Sequence, residues 1–167
     1  SSGDVGEVTV DKATLTFTPS NWNQTQTVTV TGVDDVLADG SQPTLVTLSV
    51  VDASSDEAWD GVPDQTVSVV TTDNDVPGFT VTETGGSTTV SETGTTDTFT
   101  VVLNRQPLSD LVLAVSSGDV GEATVDKATL TFTPSNWTQT QTVTVTGVDD
   151  ALVDGSQTTL VTLSVVD

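Results

Sequence analysis

The chain has 167 residues, no cysteine and no histidine, and its 24 acidic and three basic residues give a formal net charge of −21. Without thiols or imidazoles it cannot hold a disulfide, a thiolate zinc site or a histidine-based catalytic triad. The negative charge repels nucleic acid phosphates and anionic lipid headgroups, so neither is expected as a partner. No segment has the ~20 consecutive apolar residues of a membrane-spanning helix, and no direct membrane insertion is expected.

Strands are predicted along most of the chain, because Thr or Ser alternates with Val, Leu or Phe. In the first part of the chain this alternation is clearest at residues 14–18, 27–31 and 65–71. β-branched residues suit a pleated, half-buried surface, and no segment of useful length has the periodicity of a helix. The chain is therefore predicted to be all-β.

A domain boundary is predicted at residues 72–78, where Pro77 and Gly78 interrupt the strand pattern. It separates residues 1–76, the C-terminal part of one repeat, from residues 77–167, which form most of the next repeat. Strands of this second part are predicted at residues 79–83, 88–90, 98–103, 111–116, 123–125, 129–133, 141–147 and 159–165. About eight short strands at this spacing predict Greek-key, immunoglobulin-like β-sandwiches in tandem.

An internal repeat is the most informative feature of the sequence. Residues 1–52 recur as residues 116–167 without a gap, displaced by 115 positions, and the two copies differ at five positions. Near-identity over this length indicates a recent tandem duplication. A repeat of 115 residues can bury its own core. Because each unit of an array contacts only its neighbours, every added copy adds length, which is typical of a spacer and not of an enzyme.

Core side chains are predicted at the inward positions of the strands. In the first copy they are Leu15, Phe17, Val28, Val30, Val46, Leu48, Val50, Val67 and Val69. In the second copy they include Phe99, Val101, Leu103, Leu113, Phe132, Val143 and Val145. Trp22 and Trp137, which enter a strand after a turn, are predicted to cap the core. Since the chain starts and stops inside a repeat, head-to-tail self-association that completes domains across molecules is also expected.

Three groups of acidic or amide side chains are candidate ligands for Ca²⁺, which binds carboxylate and carbonyl oxygens. They follow a strand in each copy, end the first repeat, and lie in the opening strands of the next. In chain order they are Asp34, Asp35, Asp39, Asp73, Asn74, Asp75, Glu83, Glu92, Asp149, Asp150 and Asp154. Adjacent carboxylates repel each other, so a bound cation would explain the cluster. The alternative is that Asp-Gly and Asn-Asp are turn formers that cap their own backbone.

Loops at one pole of a sandwich converge, so these groups are expected to surround one or more ions near the repeat junction. A further acidic stretch, residues 52–61, permits two interpretations. Its carboxylates either bind another ion or keep a long loop soluble.

One pattern in the repeat resembles a known family. It consists of Leu-Thr-Phe-Thr-Pro-Ser-Asn-Trp, then Gln-Thr-Val-Thr-Val-Thr-Gly-Val-Asp-Asp, and Asp-Asn-Asp after a valine-rich strand. It resembles the Calx-β-like repeats of giant bacterial surface proteins, and most of all the extender repeats of RTX-type adhesins. In Calx-β domains an early-strand glutamate, the Asp-Asp pair and the terminal acidic run bind Ca²⁺ at one pole. The resemblance implies as ligands Glu92, Asp149 and Asp150 in the second copy and Asp34, Asp35, Asp73 and Asp75 in the first. Asn74 departs from the family pattern and lowers the charge of the site.

The resemblance implies a calcium-stabilised spacer of a secreted, cell-anchored bacterial adhesin. Such a spacer lies outside the cell, contacts the neighbouring repeats of its own chain and projects a distal binding domain. The alternative is a calcium-dependent module that itself binds a carbohydrate or a protein. An open calcium site beside an exposed aromatic side chain would favour the binding module, and ions closed by protein ligands would favour the spacer. The near-identity of the copies favours the spacer, because binding loops diversify.

Overall fold

The computed structural model describes residues 1–153 and 155–166. In these residues the chain forms eleven β-strands in antiparallel ladders and three short 3₁₀ turns, with no α-helix, so the all-β prediction is confirmed. The described part of the chain has no helix that is long and apolar enough to cross a membrane. Two compact units form: unit 1 contains Ser1–Asp35 and Asp39–Asn74, and unit 2 contains Val36–Ala38 and the residues from Asp75 onward.

Unit 1 consists of two antiparallel ladders of two strands each. Its strands are β1 (Val8–Val10), β2 (Val30–Gly32), β3 (Gln42–Leu48) and β4 (Gln65–Thr71). Strand β1 pairs with β2, and β3 pairs with β4. Two 3₁₀ turns, Asp52–Ser54 and Glu57–Trp59, lie in the connection between β3 and β4. An isolated bridge joins Ser2 to Val46 of β3.

Unit 2 has two sheets that face each other. Its strands are β5 (Phe79–Glu83), β6 (Thr96–Leu103), β7 (Leu111–Ser117), β8 (Ala123–Val125), β9 (Thr129–Phe132), β10 (Gln141–Gly147) and β11 (Val161–Val165). The order of one sheet is β5-β6-β10-β8, and that of the other is β11-β7-β9. A 3₁₀ turn, Thr84–Gly86, follows β5. The Greek-key, immunoglobulin-like description of this arrangement stays a prediction.

One apolar core lies between the two sheets of unit 2. Its buried members are Phe99, Val101, Leu103, Leu113, Val115, Ala123, Leu130, Phe132, Val143 and Val145. They come from both sheets and occupy alternate positions of their strands, with Thr at most of the intervening positions and Val102 and Ala114 at two of them. All seven core residues predicted for the second copy are among them, and that prediction is confirmed. Burial of each Val, Leu or Phe contributes about 1.5–3 kcal/mol to folding, so this core holds unit 2 together.

The core predicted for the first copy is wrong for most of its members. Val46 is buried, but Phe17, Val30, Leu48 and Val67 are exposed. The other four members, Leu15, Val28, Val50 and Val69, are half-buried. The reason is tertiary, because in unit 2 the strands β6 and β7 lie beside β10 and β9, and no described strand does so in unit 1. The tryptophans differ in the same way: Trp137 packs against the core of unit 2, whereas Trp22 is exposed.

Predicted strands are also wrong at three places. Residues 88–90 form a loop, in which the Thr89 N–H donates to the Asp97 carboxylate at 2.9 Å instead of joining a ladder. This bond and one from the Thr98 N–H lower the pKa of Asp97. Residues 14–18 form no strand although their copy contains β9, and the strand predicted at 27–31 is reduced to β2. In both cases the partner strand seen in unit 2 has no counterpart in the described part of unit 1.

Candidate functional site

Unit 1 contains an acidic groove of about 500 Å³ where the strands of its two ladders begin or end. We call it the acidic groove and define it by five carboxylates and one amide that line it, which are Glu7, Asp34, Asp35, Asp39, Asp73 and Asn74. The remaining lining residues are apolar residues, glycines and threonines, namely Val30, Gly32, Val33, Gly40, Val69, Val70, Thr71 and Thr72. Five of the predicted ligands therefore lie together in the groove. Glu7 lies there as well, although it was not predicted.

The position of Glu7 follows from the pairing of β1 with β2. Val8 lies opposite Gly32 in this ladder, and the next N–H along, that of Val33, donates to the Glu7 carbonyl at 2.8 Å. The Thr71 hydroxyl, at the end of β4, donates to the same carbonyl at 3.0 Å. The backbone of Glu7 therefore ties the β1–β2 ladder to the end of β4.

Side-chain hydrogen bonds hold the loop after β2 against the segment after β4. The Gly40 N–H donates to Oδ2 of Asp73 at 2.7 Å, and Nδ2 of Asn74 donates to Oδ1 of Asp34 at 3.1 Å. Gly40 has a φ of +78°, in the left-handed region that glycine adopts without steric cost. The loop and the Asp73-Asn74 pair therefore meet through specific contacts and not by proximity alone.

Negative charge accumulates in the acidic groove, as the pKa of Glu7 shows. Its partial burial raises this pKa, and the carboxylates of Asp39, Asp35, Asp4 and Asp73 raise it further. Each of these neighbours disfavours the ionised form of Glu7. A cation in the groove would remove this repulsion, and the oxygen ligands present are those that Ca²⁺ prefers.

The groove is not arranged as a closed metal shell. Within residues 1–153 and 155–166, no group of three or more acidic side chains is placed so as to hold a metal ion. Two candidate ligands, Asp34 and Asp73, accept the hydrogen bonds from Asn74 and Gly40 described above. Each of these hydrogen bonds uses one oxygen of a carboxylate that has two, so the bonds do not by themselves prevent the same side chain from binding a cation.

Glu7 is the lining residue that sequence reasoning missed. It stands 27 residues before Asp34 and outside every acidic cluster, and only the β1–β2 pairing brings it to the groove. A usable signal was present, because the glutamate directly precedes a strand and recurs before β8 as Glu122.

In unit 2 the predicted ligands Glu92, Asp149 and Asp150 lie around the end of β10. The Gly147 N–H donates to the Thr95 carbonyl at 3.0 Å, which places the turn that contains Glu92 beside this strand end. The next N–H, that of Val148, donates to the Glu122 carbonyl at 2.9 Å. Backbone pairing therefore brings the segments that carry two glutamates next to the Asp149-Asp150 pair.

Three of the predicted ligands in unit 2, Asp150, Glu83 and Asp75, have partners close by. Asp150 accepts the Leu152 N–H at 2.7 Å, which is the turn-capping role weighed against calcium binding. Glu83 accepts the Thr88 hydroxyl at 3.2 Å, and Asp75 forms an ion pair with Arg105. The Asp75 side chain is only 7 % exposed, so Arg105 compensates a nearly buried charge. Asp154 lies outside the described residues.

Comparison of the chain with protein-family models, with curated proteins and with solved structures finds no match. The resemblance to Calx-β-like repeats therefore stays a prediction that the sequence pattern carries. Two features of this chain bear on its function, namely the internal repeat and the acidic groove.

Proposed function

We propose that this chain is a calcium-stabilised structural spacer, an extender segment of a secreted, cell-anchored bacterial adhesin that projects a distal binding domain from the cell surface. The observation that carries the spacer proposal is the near-identity of residues 1–52 and 116–167. A copied segment adds length to an array without needing a new function, whereas a catalytic site is needed only once.

The acidic groove supports the calcium part of the proposal. Glu7, Asp35, Asp39 and Asp73 would supply carboxylate oxygens. The pKa of Glu7 is raised by its burial and then by the neighbouring carboxylates, and a divalent cation would relieve the repulsion from these neighbours. Ca²⁺ accepts six to eight oxygen ligands in flexible geometry, which suits side chains contributed by two loops and a strand end. The role of the ion is to hold the loop after β2 and the segment after β4 together.

The lining of the groove favours the spacer over a carbohydrate-binding module. A sugar-binding calcium site usually offers an aromatic face beside the ion, and the residues described around the acidic groove include none. The exposed tryptophans of unit 1, Trp22 and Trp59, are not part of this lining.

Thermal unfolding with and without calcium tests the proposal. At a free calcium concentration 100 times Kd, one site that binds only the folded state adds about 2.7 kcal/mol. For a domain of 60–100 residues, 1 kcal/mol raises Tm by about 4–8 °C, so we expect an increase of about 10–20 °C over the EDTA-treated protein. Magnesium is expected to substitute poorly, because it needs a smaller octahedral shell. An unchanged Tm would refute calcium binding.

A matched pair of variants locates the effect. Replacing Asp35 and Asp73 by Asn removes two negative charges from the acidic groove and should abolish the calcium-dependent shift. Replacing Asp52 and Asp60 by Asn removes the same charge from the exposed loop between β3 and β4, and the shift should persist. Equal loss in both variants would mean that calcium acts through net charge or also at the loop, and not specifically at the groove.

The spacer part has a separate test. A chain lengthened by one further repeat of 115 residues should increase its maximum dimension in small-angle scattering by a constant increment. Calcium-dependent binding to a glycan array would instead support the carbohydrate-binding alternative.

A further inference from the structure

Each copy of the repeat carries one Asn-x-Ser/Thr sequon, the acceptor motif of N-linked glycosylation, in the same turn but on different residues. The first copy has Asn-Gln-Thr at residues 23–25, and the second has Asn-Trp-Thr at residues 136–138. The shift has one cause, because Asn23 corresponds to Thr138, one of the five positions at which the copies differ. The sequence contains no third sequon. The same motif therefore occurs in one turn in two different structural settings.

The backbone of this turn is the same in both units. In unit 1 the Asn21 N–H donates to the Thr18 carbonyl at 3.1 Å, and the Gln24 N–H donates to the Asn21 carbonyl at 2.9 Å. The corresponding bonds around Asn136 in unit 2 have lengths of 3.1 and 2.8 Å. The conformation of the turn is therefore local and does not depend on which strands pack against the unit.

Asn21 and its counterpart Asn136 hold the turn together through their side chains. Oδ1 of Asn21 accepts the Thr18 N–H at 2.5 Å, and Oδ1 of Asn136 accepts the Thr133 N–H at 2.6 Å. Trp137, the middle residue of the second sequon, also packs against the core of unit 2. A transferase must bind both the asparagine amide and the hydroxyl two residues further on. The second sequon would therefore have to leave its turn, and expose Trp137, before it could react.

Asn23 is not held in this way. Its side chain makes no hydrogen bond with any described residue, and residues 23–25 are all exposed. This exposure does not depend on what covers unit 1, because the counterpart Thr138 is exposed as well in unit 2, where two sheets enclose the core. This position of the turn is therefore on the surface in both units, and only the first copy has an asparagine there.

We propose that Asn23 is an acceptor for N-linked glycosylation in the folded chain and that Asn136 is not. The co-reactant is a sugar that carries a phosphate leaving group on its anomeric carbon. A bond forms between Nδ2 of Asn23 and the anomeric carbon, and the bond from that carbon to the phosphate oxygen breaks. The phosphate group leaves with the bonding electrons, and the Nδ2 proton passes to a basic group of the transferase. This inference does not depend on calcium binding or on the spacer role.

The position of the turn leaves the acidic loop of the repeat uncovered. In unit 2 the turn precedes β10, and the Asp149-Asp150 pair follows that strand. The seven residues of β10 span about 23 Å, so the turn and the acidic pair lie at opposite ends of the strand. A bulky, solubilising glycan on this turn is therefore compatible with an ion bound at the other end.

Mass spectrometry of the folded full chain, after reaction with a transferase, tests the proposal. One reaction supplies a soluble N-glycosyltransferase with UDP-glucose, and a second supplies an oligosaccharyltransferase with a lipid-linked oligosaccharide. Trypsin then separates the two sequons, because the three basic residues, Lys12, Arg105 and Lys127, place them in peptides 13–105 and 128–167.

We expect one glycan per chain, on peptide 13–105, and none on peptide 128–167. Modification of this peptide in the first reaction supports a nucleotide sugar as the donor, and modification in the second supports a lipid-linked sugar. An unmodified peptide 13–105 in both reactions, or equal modification of the two peptides, would overturn the proposal.

Substitutions in the turn separate position from motif. Asn23→Gln should abolish the modification, and Asn136→Gln is the matched control that should leave it unchanged. Thr138→Asn removes the sequon at residues 136–138 and creates one at residues 138–140, which gives unit 2 the arrangement of the first copy. Because Thr138 is exposed, this change should not disturb the fold, and peptide 128–167 should now be modified as well. A glycan that survives Asn23→Gln, or a peptide 128–167 that stays unmodified in the Thr138→Asn chain, would refute the reasoning.

Discussion

The sharpest prediction compares one substitution at two positions of identical local sequence, Phe17→Ala and Phe132→Ala. Phe132 is fully buried between the sheets of unit 2, whereas Phe17 is 54 % exposed. Truncation of a fully buried phenylalanine costs about 3–5 kcal/mol, because transfer free energy is lost and a cavity remains. At Phe17 about half of the side chain is already in water and no cavity forms, so the cost should be about 1 kcal/mol.

Urea denaturation of the full chain measures the difference. With an m-value of about 2 kcal/mol/M, the midpoint of unit 2 should fall by about 2 M for Phe132→Ala. The midpoint of unit 1 should fall by about 0.5 M for Phe17→Ala. Hydrogen exchange followed by mass spectrometry assigns each transition to its unit. Val5→Ala and Val120→Ala, at positions exposed in both copies, should have no measurable effect.

Equal midpoint shifts for the two phenylalanine variants would refute the reasoning. They would mean that Phe17 is as well packed as Phe132, and that its exposure is not a property of the protein in solution.

Three further predictions follow from single contacts. Gly147→Ala should destabilise unit 2 by about 1–3 kcal/mol, because an added Cβ would stand 2.2 Å from the Ser91 carbonyl oxygen. Gly32→Ala, the same change in the first copy, should cost less in the same urea experiment. The pKa of Asp126 is lowered by a hydrogen bond from a backbone N–H, so its contribution to stability is present at neutral pH and is lost as pH falls through the folded pKa. In an Asp126→Asn variant, stability measured by circular dichroism should therefore fall less steeply as the solution is made acidic. The pKa of Glu7 is raised from 4.5, so metal-free protein should gain stability as pH falls toward that value. Glu7→Gln should raise Tm at pH 7 without calcium and lower the calcium-dependent shift. Its advantage without calcium should decrease as pH falls and be lost below 4.5.

Much of the candidate site was readable from the sequence. Asp34, Asp35 and Asp39 stand close together in the chain, and Asp73 and Asn74 end a repeat, so clustering alone identified them. Convergence of these two groups followed from their positions after strands. Glu7 was not predicted, because its place before a strand and its recurrence as Glu122 do not say which strand will pair there and bring it to a groove.

The sequence by itself determined the all-β class, the repeat and the core of the second copy. Alternation of Thr with Val or Phe encodes which side of a strand faces inward, and that information is local. The sequence could not determine whether the inward side is covered. Phe17 and Phe132 have the same neighbours in the chain, yet one is exposed and the other is buried, because burial requires strands that are distant in sequence. The backbone shows the same dependence on distant strands. Residues 14–17 have the sequence of β9 but form no strand, because no equivalent of β7 pairs with them.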